Sequence, residues 1–369
     1  MPMRYAIELA GPEDDAELRR RMAEDRMRGY ISLSFRREPS YFLGCRVQGE
    51  GSRVIKCTDS RSGKIVGLGA RHGQRLFLNG EETIVGYLSD LRADIDVRRR
   101  TLLARGYAFL RKLHDAEPLP LYYSVILQGN DEAVRALSGA RAGLPIYEAR
   151  GRILTPAIHL DRRLAELDCA GVSIRQANAE IMPDVFGFLR RELARKQLAP
   201  AYRESDLGSG RLLGLSPIDF YVATQGKTIV GCVAAWDQSA FRQTHVEEYS
   251  ASLRAARPFY NLAARFTSVH ELPPVGGQIR FLYLGMIAVT NDSREVFASL
   301  LRSIYRDRRA GENHFMIAGL HEDDPLCPVL HDYRRIDAGG TLFLIYYPEQ
   351  RDTISAIDKR VPYIEMAAV

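Results

Sequence analysis

A chain of 369 residues, 46% apolar and 26% charged, exceeds what one core of typical size needs and has the composition of a soluble globular protein. Its formal net charge of +5 suits an anionic ligand or a nucleic acid but is too small to select one. The five cysteines (Cys45, Cys57, Cys169, Cys232, Cys327) are odd in number and form no C-x-x-C pair, which argues against a disulfide framework or a zinc knuckle. No histidine stands at ligand spacing, so no metal is expected. No run approaches the ~20 apolar residues of a membrane span, and the N-terminus carries no apolar signal core. A cytoplasmic protein with no membrane partner is the expectation.

In chain order, Arg4–Leu9 alternates and reads as a strand. Gly11–Tyr30 follows as a helix with acids early and bases late, and "EPSYFLGC" (Glu38–Cys45) as a second, short helix. Two strands, Arg53–Asp59 and Lys64–His72, flank an "SRSG" turn, and a further pair, Gln74–Leu78 and Glu82–Ala93, flanks "NGE". After Val97, Leu102, Gly106, Phe109, Leu110 and Leu113 form one stripe, the mark of an amphipathic helix. Leu121–Leu127 reads as a strand, and "GNDEAVRALSG" as a short helix capped by Asn130 or Asp131. Two short strands near "PIYEARG" and "RILTPAIHL" close this half.

Asp161–Gly171 is polar, ends in glycine and reads as a linker between residues 1–160 and 172–369. The second half repeats the order: strand Val172–Ala177, helix Ala179–Gln197, strands Asp219–Gln225 and Lys227–Asp237, strand Gln278–Val289, helix Ser293–Ala310, strand His314–Leu320, a short helix near "DPLCPVLHDY" and strand Gly340–Tyr347. The strand-helix units that begin at Tyr87 and Phe281 lie 194 residues apart, a repeat of pattern more than of residue identity. Residues 239–274 have no counterpart. "HVEEYSASLRAARPFYNLAARF" reads as a helix interrupted by Pro258, a packing insertion, an inter-domain arm or a cover.

The junction "YLSDLRADIDVRRRTLLARGY" runs from strand to helix through a basic cluster. Helix N-termini offer unpaired N–H groups and a positive dipole end, so a phosphate is favoured there. Arg98, Arg99 and Arg100 stand where that end repels cations, which asks for an anion or for Asp94 and Asp96 nearby. This order of elements resembles the GNAT acyltransferase superfamily in both halves. The resemblance implies an α/β fold, here α+β with mixed sheets, as two tandem GNAT-like acyltransferase domains. It also implies acetyl-CoA, or another acyl-CoA, as cofactor. The family's pyrophosphate loop, Q/R-x-x-G-x-G/A, matches here at Arg98 and departs at Thr101 and Leu103, where glycines are usual. The implied cofactor cradle is Leu91, Arg92 and Ala93 at the strand end, Arg98, Arg99, Arg100, Thr101, Leu102 and Leu103 at the helix start, and Asn130 with Ala133 beside the pantetheine arm. The family often has a tyrosine acid seven residues after that asparagine; Leu137 stands there. In the second half Asp292 would repel a phosphate, and Asp324 takes the approximate place of Asn130, so this half is expected to be the weaker binder.

Acyl transfer to an amine needs a proton acceptor, a polarised carbonyl and a proton for the thiolate. Asp90 is the candidate base, its pKa raised by half-burial; capping or pairing with an arginine is the competing role. Tyr122 and Tyr123, with Ser124, are candidate proton donors, and packing is their competing role. Neighbouring His321 and Glu322 face opposite ways on a strand end, and His159 reads as a core residue. Ser32–Gly44, with Phe35, Tyr41 and Phe42, would wall an acceptor pocket. The leading reading is an N-acyltransferase acting on a small-molecule or peptide amine, monomeric or homodimeric. A non-catalytic GNAT-like binding or regulatory protein is a second reading. A Fem-type aminoacyl transferase, with tRNA as its only nucleic-acid partner, is a third.

Overall fold

The computed structural model describes residues 4–369 apart from 28, 95–96, 98–100, 139–142, 209 and 268. In chain order the first half comprises β1 (Tyr5–Leu9), α1 (Asp15–Glu24), β2 (Arg26–Met27), β3 (Ile31–Arg36), α2 (Tyr41–Gln48), β4 (Glu50–Asp59), β5 (Ile65–Leu78), β6 (Glu81–Ala93), α3 (Leu102–Ala116), β7 (Tyr122–Leu127), α4 (Asp131–Leu137), β8 (Ile146–Leu154) and β9 (Ala157–His159). The second comprises β10 (Val172–Gln176), α5 (Met182–Leu193), β11 (Phe220–Gln225), β12 (Thr228–Asp237), β13 (Gln243–Tyr249), α6 (Ala251–Ala264), β14 (Gln278–Ile279), β15 (Phe281–Val289), α7 (Arg294–Arg308), β16 (Phe315–Ala318), β17 (Leu320–His321), β18 (Arg335–Ile336), β19 (Gly339–Tyr346) and α8 (Arg351–Ser355).

The first sheet runs β1-β4-β5-β6-β7-β19-β8-β17 and the second β10-β11-β12-β15-β16-β9-β18. Each is antiparallel except for one parallel pair, β6/β7 in the first and β15/β16 in the second. The second half lends the first sheet two strands, β19 and the edge strand β17 on β8, and the first half lends the second sheet one. β19, from the end of the chain, lies between β7 and β8, and β9, from the first half, lies between β16 and β18. Sheet membership therefore does not follow the expected division at 161–171. That segment does hold neither helix nor strand, and Leu164 and Cys169 within it pack on the second core.

Several expected elements merge or change type. Lys64–His72 and Gln74–Leu78 form one fourteen-residue strand, because Gly73 stays in the ladder opposite Gly86 and breaks nothing. Residues 32–36, expected only as part of a pocket wall over Ser32–Gly44, belong to strand β3. His245–Tyr249, expected to be helical, belongs to strand β13, and the helix begins at Ala251 behind the Ser250 cap. β3 and β13 pair antiparallel from Gln243↔Arg36 to Tyr249↔Ile31 at the centre of a third sheet, β14-β13-β3-β2, which ties the halves together. Alternating apolar and polar residues overrode local helix propensity once a partner strand was at hand.

One face of the first sheet packs on α3 and α4 through Tyr107, Leu110, Tyr122, Leu137 and Phe343. On the other, Tyr87 and Tyr123 pack with Leu198, Ile354 and Ile364 of the second half. Gly86 is required where β6 meets β7: a Cβ there would stand 2.0 Å from the Tyr122 ring.

Candidate active site

The parallel pair β6/β7 holds register only at Gly86↔Tyr122 and Tyr87↔Tyr123, and then the strands part. Three residues past Tyr87, Asp90 turns into the left-handed region at φ 54°. The second half repeats this geometry: β15/β16 pair as far as Leu284↔Ala318, and Met286 takes φ 51° three residues past Tyr283. The two irregular residues are 196 positions apart, close to the offset in the sequence pattern. Aspartate tolerates this backbone well and methionine poorly, so Met286 needs support from its surroundings.

That support closes the second opening. The Met286 N–H donates to Glu365 Oε2 at 2.7 Å, and the Ile287 N–H donates to the Tyr363 hydroxyl at 3.0 Å. The residues that supply them belong to the C-terminal segment, which enters the parting of β15 from β16. Burial raises the Glu365 carboxyl above its ordinary 4.5, against the bonds it accepts from Met286, Ala367 and Tyr363. The helix junction below is closed too. Lys196 Nζ sits 3.0 Å from Asp292, the acid expected to repel a phosphate, and 3.1 Å from Asp324, the residue read in the place of Asn130. The N-terminus of α7 is capped by Ser293, whose hydroxyl accepts from the Val296 N–H.

The Glu365 shift sets a pH signature. A carboxyl raised in the folded state makes that state bind more protons than the unfolded one, so stability falls as pH climbs from 4.5 through the raised value. Glu365→Gln keeps an oxygen to accept the Met286 N–H and removes the titration. Its melting temperature should match the parent near pH 4 and exceed it increasingly toward pH 8. A constant offset across a pH series of thermal melts would exclude Glu365 as the titrating group.

The first opening is lined differently. By the repeat, the Asp90 and Leu91 N–H groups stand where Met286 and Ile287 donate in the second half. Asp90 Oδ2 accepts from Arg37 Nη2 at 2.8 Å and from the Tyr41 hydroxyl at 2.9 Å. Burial would raise its pKa, but Arg37, Arg92 and the Tyr41 bond outweigh burial and lower it. The expectation of a raised, base-like Asp90 is thus corrected: pairing with an arginine is its observed state. Arg37 also donates to Gln48 Oε1 at 2.8 Å and lies over the Tyr41 ring. Beside them His72 sits between the Ser52 and Ser89 hydroxyls, at 2.8 and 2.9 Å, and burial lowers it to about 3, which keeps it neutral. Arg242 reaches in from the second half, donating to the carbonyls of Ala367 and Val369.

The other expected residues are dispersed. Tyr122 points to the α3 side, its hydroxyl 3.2 Å from Arg71 Nε and 2.8 Å from His114 Nδ1. Tyr123 points the opposite way, stacks on Tyr87 and donates to Gln74 at 2.7 Å. Burial raises both phenols, so both stay protonated. Leu91 is exposed, Arg92 pairs with Asp25 at 3.4 Å, and Ala93 opposes Gly67. Arg98, Arg99 and Arg100 lie outside the described residues. Thr101 is exposed at the N-cap of α3 and makes no side-chain cap bond there, unlike Ser293. Leu102 is buried with Tyr5, Cys57, Val66 and Val97, and Leu103 packs on the Tyr107 side. Asn130 caps α4, its side chain accepting from the Ala133 N–H at 3.2 Å.

His321 bonds the Arg150 carbonyl while Glu322 accepts from the Arg152 N–H, so each is used separately. His159 is half-buried against Phe315. Phe35 and Phe42 pack on the α1–α2 core, whereas Tyr41 reaches the site. Arg37, His72, Arg242, Lys196 and Glu365 were not anticipated. "FRREP", two adjacent arginines amid apolar residues before a helix, was the one local signal among them.

The fold is that of the GNAT acyltransferases, present twice in one chain. Solved structures share it over most of this length. Two are of Saccharomyces cerevisiae N-myristoyltransferase with bound myristoyl-CoA, at TM-scores of 0.58 and 0.61 and identities of 12% and 11%; each match covers 94% of this chain, and 80% and 84% of those chains. A third is a GCN5-related N-acetyltransferase from Sphaerobacter thermophilus, at TM-score 0.56 and 12% identity, matched over 100% of both chains. No family model matches the sequence, nor does any curated protein. Among the described residues no group of histidine, cysteine and acidic side chains could hold a metal, and no helix is long and apolar enough to cross a membrane.

Proposed function

We propose that this chain is an acyl-CoA-dependent N-acyltransferase whose donor binds in the first half, with acetyl-CoA or another acyl-CoA as cofactor and a small-molecule or peptide amine as acceptor. The observation that carries this reading is the asymmetry of the two openings. In the second half Glu365, Tyr363, Lys196 and Ser293 satisfy the groups that a ligand would use. In the first, among the described residues, no such side chain is bonded to the Asp90 and Leu91 N–H groups, and Thr101 makes no cap bond at the N-terminus of α3.

Bound acyl-CoA supplies a thioester carbon open to attack by an amine. The Asp90 and Leu91 N–H groups are the donors placed to polarise its carbonyl, as their counterparts do toward Glu365 and Tyr363. The α3 N-terminus, with Thr101 and the arginines before it, is the place for the phosphates. Asp90, held ionised by Arg37 and Tyr41, serves better to draw in and orient a protonated amine than to take its proton; solvent water takes that proton before the neutral amine attacks the thioester carbon, and water returns one to the CoA thiolate as the C–S bond breaks. Tyr122 and Tyr123 are engaged with protein partners, which makes packing their main role.

Calorimetric titration of acetyl-CoA and of a long-chain acyl-CoA into the full chain tests this. One site per chain is expected. Replacing Arg98, Arg99 and Arg100 by glutamine should weaken binding by about tenfold or more. Asp90→Asn should leave donor affinity intact and slow transfer to a panel of amines. Absence of saturable binding by either donor would overturn the proposal, and binding without transfer to any amine would support the non-catalytic reading.

A further inference from the structure

The segment without a counterpart in the first half carries an exposed apolar helix face. α6 is anchored on its inner side: Asn261 exchanges hydrogen bonds with the backbone of Leu272 at 2.9 and 3.0 Å, Arg257 donates to the same carbonyl at 3.1 Å, and Ala264 is buried. Its outer side is apolar and uncovered. Phe259 is 77% exposed, Leu262 55%, and Phe266, in the turn that follows, 83%. At 100° per residue these three fall on one stripe, with the small residues Ser252, Ala255, Ala256 and Ala263 between and beside them. Single exposed apolar residues need no explanation, but a contiguous stripe on an anchored helix marks an interface.

We infer that this stripe is a two-fold interface and that its occupant is the α6 of a second copy of this chain. The stripe is complementary to itself in antiparallel orientation. With the axis at Phe259, Phe266 of one helix meets Ser252 of the other, Leu262 meets Ala256, Ala263 meets Ala255, and the two Phe259 rings meet on the axis. Off the axis the large Phe266 and Leu262 thus face the small Ser252 and Ala256, which lets the two Phe259 rings and the backbones on either side approach closely.

The rim matches as well. At one end of the helix Arg254 pairs with Glu248 at 3.3 Å, and at the other Arg265 pairs with Glu271 at 3.0 Å. Antiparallel pairing brings the first pair of one copy beside the second pair of the other, so two arginines and two glutamates meet at each end with no net charge. Balanced ends of this kind fit a protein surface better than an anionic lipid surface, which would select arginine without glutamate. An apolar centre with an arginine-containing polar rim is the ordinary anatomy of such contacts.

Sedimentation equilibrium over a concentration series should give twice the 41.5 kDa of one chain. Phe259→Glu places two carboxylates on the axis and should weaken association by about a hundredfold or more, with circular dichroism unchanged because the position is exposed and the melting temperature equal to that of the parent diluted to monomer. Phe259→Cys should cross-link to a covalent dimer on mild oxidation, whereas Arg254→Cys, off the axis, should not. A monomer at all concentrations overturns the inference. So does a dimer that persists in Phe259→Glu, or one in which Phe259→Cys fails to cross-link. Binding of the monomer to phosphatidylglycerol vesicles through Phe259 and Phe266 would assign the face to lipid instead, and would equally overturn it.

Discussion

Residues 1–160 expressed alone should not fold, and neither should residues 172–369. The first fragment lacks β19, the strand that fills the gap between β7 and β8 in the middle of its sheet. Gly340–Ile345 pair with Tyr122–Leu127 on one side, and Gly339–Tyr346 with Ile146–Leu154 on the other. Leu342, Phe343, Leu344 and Ile345 are all buried there. At about 1.5–3 kcal/mol for each large apolar side chain, their loss together with two ladders of hydrogen bonds rivals the entire stability of about 5–15 kcal/mol of a typical domain. The second fragment loses β9 from between β16 and β18, along with Val47 and Phe77, which first-half elements contribute to its core. Each fragment should give the circular dichroism and proton spectrum of an unfolded or aggregated chain. Co-expressed fragments divided within 161–171 should assemble, since that segment carries no strand. A soluble, folded fragment 1–160 would show that the strand exchange is dispensable. The consequence for biochemistry is direct: donor titrations belong on the full chain.

This exchange marks the limit of what the sequence conveyed. Local pattern located the helix after Val97, the strand Leu121–Leu127, the Asn130 cap and the matching series in the second half, because each depends on residues a few positions apart. It also carried the doubled architecture, with an offset of 194 against the 196 separating Asp90 from Met286. It could not place "GTLFLIYY" in the first sheet, because a strand's own residues state that it will pair but not with what. The His245–Tyr249 segment failed for the same reason: its helical reading held only until β3 was in reach. At the site, Asp90 was legible as a carboxylate beside a strand-to-helix junction. Its partner Arg37 lies 53 residues away, and no spacing rule joins them. Lys196, 96 residues from Asp292, and Glu365, 79 from Met286, were hidden likewise, yet they are what closes the opening in the second half.

Arg37→Met should be the most costly single substitution at the site, at about 3–5 kcal/mol near neutral pH. The guanidinium is almost wholly buried between Asp90, Gln48 and the Tyr41 ring. Removing it leaves the buried Asp90 carboxylate with the Tyr41 hydroxyl as its one bonded partner and the Arg92 charge nearby, and burial then drives its pKa up instead of down. The sign with pH follows. In the parent chain Asp90 is depressed below 3.8, so its contribution is present above that value and fades as pH falls through the folded value. In the variant the folded state holds the proton more tightly than the unfolded one, so stability declines as pH rises. The difference between the two should therefore be greatest near pH 7 and shrink toward pH 4. Arg37→Met with Asp90→Asn removes the buried charge, keeps an acceptor for Tyr41, and should recover most of the loss. Arg37→Lys should recover little, since an ammonium cannot bond Gln48 and Asp90 in the fork that the guanidinium provides. Urea unfolding of the four proteins at both pH values decides it. Equal losses at pH 4 and pH 7, or a double variant no better than the single, would mean that the Arg37–Asp90 pair does not set the stability of this site.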